Sequence, residues 1–417
     1  MNYPDSVHFL YALGNEIKTA KLGLDRIRQV LDALGRPQDR CRFVHVAGTN
    51  GKGSVCAMIE SVLRAGGDRT GLFTSPHLAE PTERIRIDGR PIGSDEFAAA
   101  FNRVHAASEE LLAAGTIDLH PTYFETVTAM AMLVFADRKT DRVVLEVGLG
   151  GRLDATNVVS PELCVITPID FDHEMYLGRS IEAIAGEKAG ILKPGVPAVF
   201  ARQRPEAEAV LSARATDIAR TSDWRIQDLE LTARESRFRL EPVGLNIVCP
   251  LAGEHQVENA VTAARALDRL AVPRAAIERG IAEAQWPGRL ERISERPEII
   301  VDGAHNPAGA RALAAYIERF YNGRRVRLIF GAMRDKAVAE IGGILFPLAA
   351  EVIVTAPRQS RALSPEAMRD IVDNLELRVA PDLEAALALV GDAAPEDVVF
   401  ITGSLFLVAE ARQILIR

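Results

Sequence analysis

The chain has little cysteine: Cys41, Cys56, Cys164 and Cys249 are the only four in 417 residues, and no two stand in CxxC spacing. That scatter argues against a zinc site and against a disulfide framework, and it fits a reducing compartment. Positive charge is not in excess either. With 49 basic and 57 acidic residues the formal net charge is −8, so no bulk attraction draws the chain to nucleic acid or to an anionic membrane, and neither partner is expected. Long hydrophobic runs are missing as well. The longest, Val127 to Ala136, is far too short to span a bilayer, and Met1-Asn2-Tyr3-Pro4-Asp5 has neither the basic nor the apolar region of a secretory signal. A cytoplasmic protein is expected. Hydrophobic residues at 48% and charged residues at 25% are ordinary for a globular chain. Its 417 residues exceed the size at which one core stops growing, which predicts two domains.

The most informative stretch is His45-Val46-Ala47-Gly48-Thr49-Asn50-Gly51-Lys52-Gly53-Ser54. Arg42 to Ala47 has the length and β-branched content of a buried strand, and from Lys52 onward Val55, Ile59, Val62 and Leu63 recur at helical spacing. The glycines therefore sit at a strand-to-helix turn, where free N–H groups and the positive end of the helix dipole face a bound anion. Lys52 would add a point charge and Ser54 a magnesium ligand. The strict phosphate-loop pattern is not met, because Val46 stands where the first glycine belongs and Gly53 separates lysine from serine. Nucleotide binding remains the better reading than a bland glycine-rich turn.

Ahead of this stretch, residues 1–41 read as two amphipathic helices, the second marked by Leu22, Leu24, Ile27, Val30, Leu31 and Leu34. After it, Thr70–Thr74 reads as a strand closed by Ser75-Pro76, a turn that could present Ser75 to a metal. Helices are predicted over Ser94–Ala114, with Ser94 as N-cap, and over Tyr123–Ala136. Asp141–Val147 is a strand whose apolar run is broken by Glu146, and a buried carboxylate calls for a cation or a charged partner. The following Gly148-Leu149-Gly150-Gly151-Arg152-Leu153-Asp154 fails the dinucleotide fingerprint at Leu153, and reads as a loop placing Arg152 and Asp154 over a cleft. Cys164–Ile169 is a further strand leading to Asp172-His173, and His173 falls on the strand edge where ligands collect in open α/β sheets. Lys188, in the helix Ser180–Ile191, reads on spacing alone as a surface lysine. A small β meander is predicted from Arg225 to Pro250, then a helix carrying His255 and Asn259. Pro287-Gly288 and the polar run Ser294–Pro297 mark the domain boundary, giving domains 1–294 and 295–417. Beyond it, strands Ile299–Val301, Val326–Phe330, Glu351–Thr355 and Val398–Thr402 alternate with helices, as in a mostly parallel sheet. The first ends in Asp302-Gly303-Ala304-His305-Asn306-Pro307, with Asn306 as N-cap and Pro307 at N1.

Taken together, Gly48–Ser54, Thr74-Ser-Pro-His-Leu78, Leu145–Asn157, Asp172-His173 with Leu177-Gly178, Glu187–Ile191, Pro287-Gly-Arg289 and Asp302–Pro307 resemble the folylpolyglutamate synthase/dihydrofolate synthase family, part of the Mur-ligase-like superfamily of ATP-dependent amide-bond ligases. The resemblance spans almost the whole chain. It implies an α/β fold: a P-loop-containing Mur-ligase-like N-terminal domain and a smaller Rossmann-like C-terminal domain. It implies that Asn50, Gly51, Lys52, Gly53 and Ser54 hold ATP with Asn259, Arg289 and Asp302, and that Ser54, Ser75, Glu146 and His173 hold Mg²⁺. Lys188 matches a lysine that the family carbamylates, and Lys52, Lys188 and His305 are the implied catalytic residues. Phe124, Glu125, Arg152, Asp154 and Ser404 fall at positions implied to bind substrate. Two positions depart from the pattern: Asp170-Phe171 precedes Asp172-His173, and Ala337 replaces an acidic residue.

The implied reaction joins L-glutamate to a folate-type carboxylate, of tetrahydrofolate polyglutamates, dihydropteroate or both, through an acyl phosphate, with ADP and phosphate released. Only small-molecule partners and a monomer are expected. Two other readings compete. A Mur-type peptidoglycan ligase carries a UDP-binding domain before its phosphate loop, whereas 47 residues precede Gly48 here. A non-catalytic P-loop nucleotide switch has no use for Arg289, Asp302 and His305 at a second domain's edge.

Overall fold

Strand sequences decide the layout, because a parallel strand covered on both faces reads as a near-continuous apolar run. In the computed structural model, which describes residues 1–13, 23–371 and 377–416, the first sheet contains β1 (Arg42–Ala47), β2 (Thr70–Phe73), β3 (Ile85–Ile87), β4 (Arg90–Pro91), β5 (Arg142–Glu146), β6 (Leu163–Ile166), β7 (Ala198–Phe200) and β8 (Ile218–Arg220), in the order β4-β3-β2-β5-β1-β6-β7-β8. The six strands from β2 to β8 in that order run parallel, and β3 and β4 complete the edge antiparallel. Alternate residues feed opposite faces. Val44, Val46, Val144 and Val165 pack with Val55, Met58, Ile59 and Val62 of the helix Lys52–Ala65, while Phe43, Phe73, Val143 and Leu145 pack with the helix Tyr123–Asp137. Each fully buried side chain of this size contributes roughly 1.5–3 kcal/mol.

The predicted meander is an antiparallel sheet of β9 (Arg225–Leu231), β10 (Ser236–Glu241) and β11 (Leu245–Cys249). Phe238, Leu240, Leu245 and Ile247 alternate with exposed residues and close the first core over the helices Glu254–Arg269 and Arg274–Ala282. The second sheet contains β12 (Glu291–Glu295), β13 (Glu298–Val301), β14 (Val326–Phe330), β15 (Glu351–Val354), β16 (Leu377–Val379) and β17 (Val398–Thr402), ordered β12-β13-β17-β14-β15-β16, with only β12 antiparallel. Helices cover both its faces. The two-unit α/β architecture is thus the one expected.

Several local expectations change. A cut between 294 and 295 would sever β12, whose pairing with β13 sets Glu291–Glu295 in the second sheet. The helix Ser94–Ala113 is capped by Gly93 with no side-chain hydrogen bond, so Ser94 is its first residue and not its cap. The N-terminal helices are Tyr3–Ala12 and Asp25–Ala33, and Leu22 lies outside the described residues. The apolar run Val127–Ala136 is buried inside its helix, and among the described residues no helix is long and apolar enough to cross a membrane.

Candidate active site between the two sheets

In the first sheet the order reverses at β1: the chain passes to β2 and β5 on one side and to β6 on the other. The carboxyl ends of strands around such a switch open a crevice. The loops leaving β1, β2, β5 and β6, together with the edge of the second sheet, line a cavity of ≈ 550 Å³. Its lining includes Asn50, Gly51, Lys52, Gly53, Ser54, Ser75, Glu146, His173, Lys188, Asn259, Arg289, Asp302 and His305, every residue assigned above to ATP, metal or catalysis.

The glycine-rich loop is held by hydrogen bonds from the protein itself. The Thr49 and Asn50 amides donate to the Pro168 carbonyl, and Lys52 Nζ donates to the Gly48 and Thr49 carbonyls at 3.1 Å each. Gly51 opens the helix Lys52–Ala65 with φ 85°, and a Cβ there would lie 2.2 Å from Asn259 Oδ1, so both its left-handed backbone and its close approach require glycine. The irregular spacing now has a cause. Val46 is fully buried and paired with Glu146 and Val165 inside the sheet, so the turn starts only at Gly48. The Ser54 hydroxyl accepts from Gln256 Nε2 at 3.2 Å, and Gln256 Oε1 accepts from Asn259 Nδ2.

Glu146 is the last residue of β5 and is almost fully buried. Burial pushes its carboxyl pKa up, opposed by Lys52, by the Ser75 amide donating at 3.0 Å, and by Arg289 and Arg84. His173 has φ 53°, and burial lowers its imidazole to about 4 against the pull of Asp172. Its Nδ1 is buried with no hydrogen-bond partner. A buried carboxylate at a strand end and an orphaned imidazole nitrogen lining one cavity form a donor set that fits a divalent cation. Lys188 is not on the surface. It is 4% exposed, donates from Nζ to the Gly48 carbonyl at 2.7 Å, and is lowered to about 7 by burial and by Lys52, with Asp172 and Asp154 opposing.

Residues to which sequence reasoning gave no part in joining the units link the two sheets. Asn306 caps the helix Pro307–Phe320 through Gly309 N, and its Nδ2 donates to Asn50 Oδ1 at 2.9 Å and to Asp172 Oδ2 at 3.2 Å. Asp172 also meets Lys336 Nζ at 2.8 Å and His305 Nε2 at 3.5 Å. Burial pushes the Asp172 carboxyl up, but His305 and Lys336 outweigh it and hold it well below the usual carboxylate range. Gln256 was readable as a partner, standing one helical turn before Asn259. Lys336 gave no such signal.

The five expected substrate residues do not line the cavity. Phe124 packs between Phe73 and Gly148, and Glu125 pairs with Arg26 at 3.0 Å while closing the capping box on Thr122. Arg152 turns outward to Glu187, and Asp154 folds inward to accept from Leu149 N and from Thr156. These two therefore do not hang over the cleft: backbone N–H groups capture the Asp154 carboxylate, and Glu187 holds Arg152 outside. Ser404 caps the helix Leu405–Leu415.

Fold and site together define a Mur-ligase-type chain: residues 46–267 match the Mur ligase middle domain and 288–405 the Mur ligase, glutamate ligase domain. The chain is 36% identical to the folylpolyglutamate synthase of Lacticaseibacillus casei, over 100% of this chain and 99% of that one. It is also 36% identical to the dihydrofolate synthase/folylpolyglutamate synthase of Mycobacterium tuberculosis, covering 94% and 90% of the two chains. It superposes with a TM-score of 0.92 on the M. tuberculosis folylpolyglutamate synthase complexed with ADP and AMPPCP, at 35% identity over 100% and 99% of the chains. With Escherichia coli FolC in complex with DHPP and ADP the TM-score is 0.87, at 32% identity over 98% and 97%. The chain belongs to the folylpolyglutamate synthase/dihydrofolate synthase family.

Proposed function

We propose that this chain joins the amino group of L-glutamate to a carboxylate of a folate-type substrate, with ATP converted to ADP and phosphate. The observation that carries the reading is the cavity lined from both sheets, with Lys52, Glu146 and the glycine-rich loop on one side and Arg289, Asp302 and His305 on the other. A carboxylate is a poor electrophile. Its oxygen attacks the γ-phosphorus of ATP, the bond to the β-phosphate oxygen breaks, and an acyl phosphate forms. The neutral amine of glutamate then attacks the acyl carbon, and phosphate leaves. Both steps gather negative charge, which positioned cations stabilise; Lys52 and Arg289 are among the cations that line the cavity. Ser75, Glu146 and His173, with Ser54, would hold Mg²⁺, which supplies further neutralisation of the phosphate oxygens.

Lys188 is proposed as a carbamylation site. A pKa near 7 leaves much of its amine neutral, the form whose nitrogen adds to CO₂ with loss of one proton, turning a buried cation into an anion beside the loop. Phe124, Glu125, Arg152, Asp154 and Ser404 are retained as substrate-site candidates, acting through the loops they brace. The same proposal includes a cytoplasmic monomer and a division of the chain just before Glu291.

Lys52→Ala is expected to abolish ADP release that depends on both glutamate and a pteroate-type substrate, while the melting temperature stays near wild type, since the hydrogen bonds of Lys52 Nζ stay within its own loop. Wild-type ligase activity in that variant refutes the assignment. Dihydropteroate and tetrahydrofolate assayed side by side identify the acceptor.

A further inference from the structure

Away from the cavity, three side chains converge with no role in the reaction. His105 and Glu109 stand four residues apart on one face of the helix Ser94–Ala113, and His120 lies in the segment leading to the helix Tyr123–Asp137. One ligand atom from each lies within 4.8 Å of the others. Glu109 Oε1 is 3.9 Å from His105 Nδ1 and 3.9 Å from His120 Nε2. Both nitrogens are buried without a hydrogen-bond partner. An uncompensated buried polar atom costs free energy, and two facing one carboxylate call for a shared partner.

The chemistry of each ring favours a cation as that partner. His120 Nδ1 donates to the Pro121 carbonyl oxygen at 3.0 Å, which leaves Nε2 as the nitrogen turned toward Glu109. This is the outer hydrogen bond that metal-bound histidines usually make. His105 turns its Nδ1 to the same Glu109 oxygen. Phe101 stacks on the His105 ring at 5.5 Å, and Phe9 packs edge-on against both rings at 4.7 and 5.4 Å, fixing their orientation. The edge of a tetrahedron with metal–ligand bonds of about 2.1 Å is roughly 3.4 Å; the two imidazole nitrogens lie within 4.8 Å of each other, and the 3.9 Å gaps to Glu109 close when Glu109 moves by about half an ångström. Its side chain is 56% exposed and free to do so.

We infer that His105, Glu109 and His120 form a binding site for a borderline divalent transition-metal ion of the zinc type, with a fourth position open to water. No cysteine takes part, so the cysteine spacing that spoke against zinc does not bear on this site. A bound ion would clip the segment after the helix Ser94–Ala113 back onto that helix, adjoining the Thr122 cap and Phe124. The site is independent of the ligase reading.

The test uses the full chain stripped with EDTA and then dialysed against limiting Zn²⁺ with Mg²⁺ and ADP saturating. Wild type is expected to bind one equivalent more zinc than a His105→Ala/His120→Ala double variant, and zinc is expected to raise its melting temperature. Glu109→Gln, at an exposed position, keeps the fold and is expected to lose at least the about tenfold in affinity that even an outer partner is worth, with ligase activity unchanged. Two of the eight histidines should shift in the NMR spectrum on zinc addition. Glu109→Gln that binds zinc as wild type does, or zinc that moves no imidazole resonance, overturns the proposal.

Discussion

Asn306→Asp separates the folding of the second unit from its attachment to the first. In wild type the Asn306 carbonyl oxygen caps the helix Pro307–Phe320 through Gly309 N, while its amide nitrogen donates to Asn50 and to Asp172. An aspartate keeps the cap and suits the helix dipole, so the helix loses nothing. Both donated bonds vanish. The neutral one is worth about 1 kcal/mol and the one to a carboxylate about 1.5–3 kcal/mol, so the attached arrangement weakens by roughly 2.5–4 kcal/mol, or about 10²–10³-fold. The new carboxylate also meets Asp172 where the amide stood at 3.2 Å; at an effective dielectric of about 20 the repulsion adds up to ~5 kcal/mol before relaxation or a shared proton relieves it. The expected outcome is kcat/KM for glutamate ligation lower by about a hundredfold or more, with a melting temperature near wild type. Asn306→Ala, which also loses the cap, should lower both. An Asn306→Asp enzyme with wild-type kcat/KM would show that these bonds do not hold the two units in the active arrangement.

Three further outcomes follow from local geometry. Lys188 is lowered to about 7 from 10.5, so between those values the unfolded chain holds a proton that the folded chain has released, and this group's contribution to stability rises with pH across that window. Urea midpoints measured from pH 7 to 10 should climb more steeply in wild type than in Lys188→Met. A Cβ at Gly280 would come 2.3 Å from Val62 Cα, where the helices Arg274–Ala282 and Lys52–Ala65 cross. Gly280→Ala should therefore destabilise by about 1–3 kcal/mol in urea unfolding despite alanine's better helix propensity. Ala337 stands at the N-cap of the helix Val338–Leu345 with no side-chain hydrogen bond, so Ala337→Asp should raise the melting temperature, by an amount corresponding to about 1 kcal/mol.

The parts of the fold that were legible in the sequence are those whose environment is set by neighbours along the chain. Parallel strands such as Arg42–Ala47 and Val398–Thr402 are mostly apolar because both faces are covered, and Asn306-Pro307 announces a helix start through local hydrogen bonding and a fixed φ. Glu146 was legible for the same reason, as a charge in a run that otherwise excludes charge. The short strands β3, β4, β7, β8 and β16 carry too few residues for periodicity to register. Lys188 was misread because its burial comes from elsewhere. Gly151 and Gly190 let the 148–154 loop press on the end of the lysine's helix, with Cβ positions 2.8 Å from Glu187 O and 2.3 Å from Arg152 Cα, and no spacing within residues 180–191 records that approach.

The same contrast explains the departure at Asp170-Phe171. As sequence it is only an extra charge before Asp172-His173. In the structure the Asp170 carboxylate is shared between Arg204 of the first unit at 3.4 Å and Arg311 of the second at 3.7 Å, while its backbone N–H and C=O both bond to the Thr49 hydroxyl. Asp172, two residues on, meets His305, Asn306 and Lys336. One loop after β6 thus presents two carboxylates to four polar groups of the second sheet's helices and turns, and its backbone fixes the phosphate loop. Charges gathered on such a loop act on how the two units face each other across the cavity. That makes the Asp170 departure a change in how the units are joined, and it leaves the proposed donor set of Ser75, Glu146 and His173 as it was.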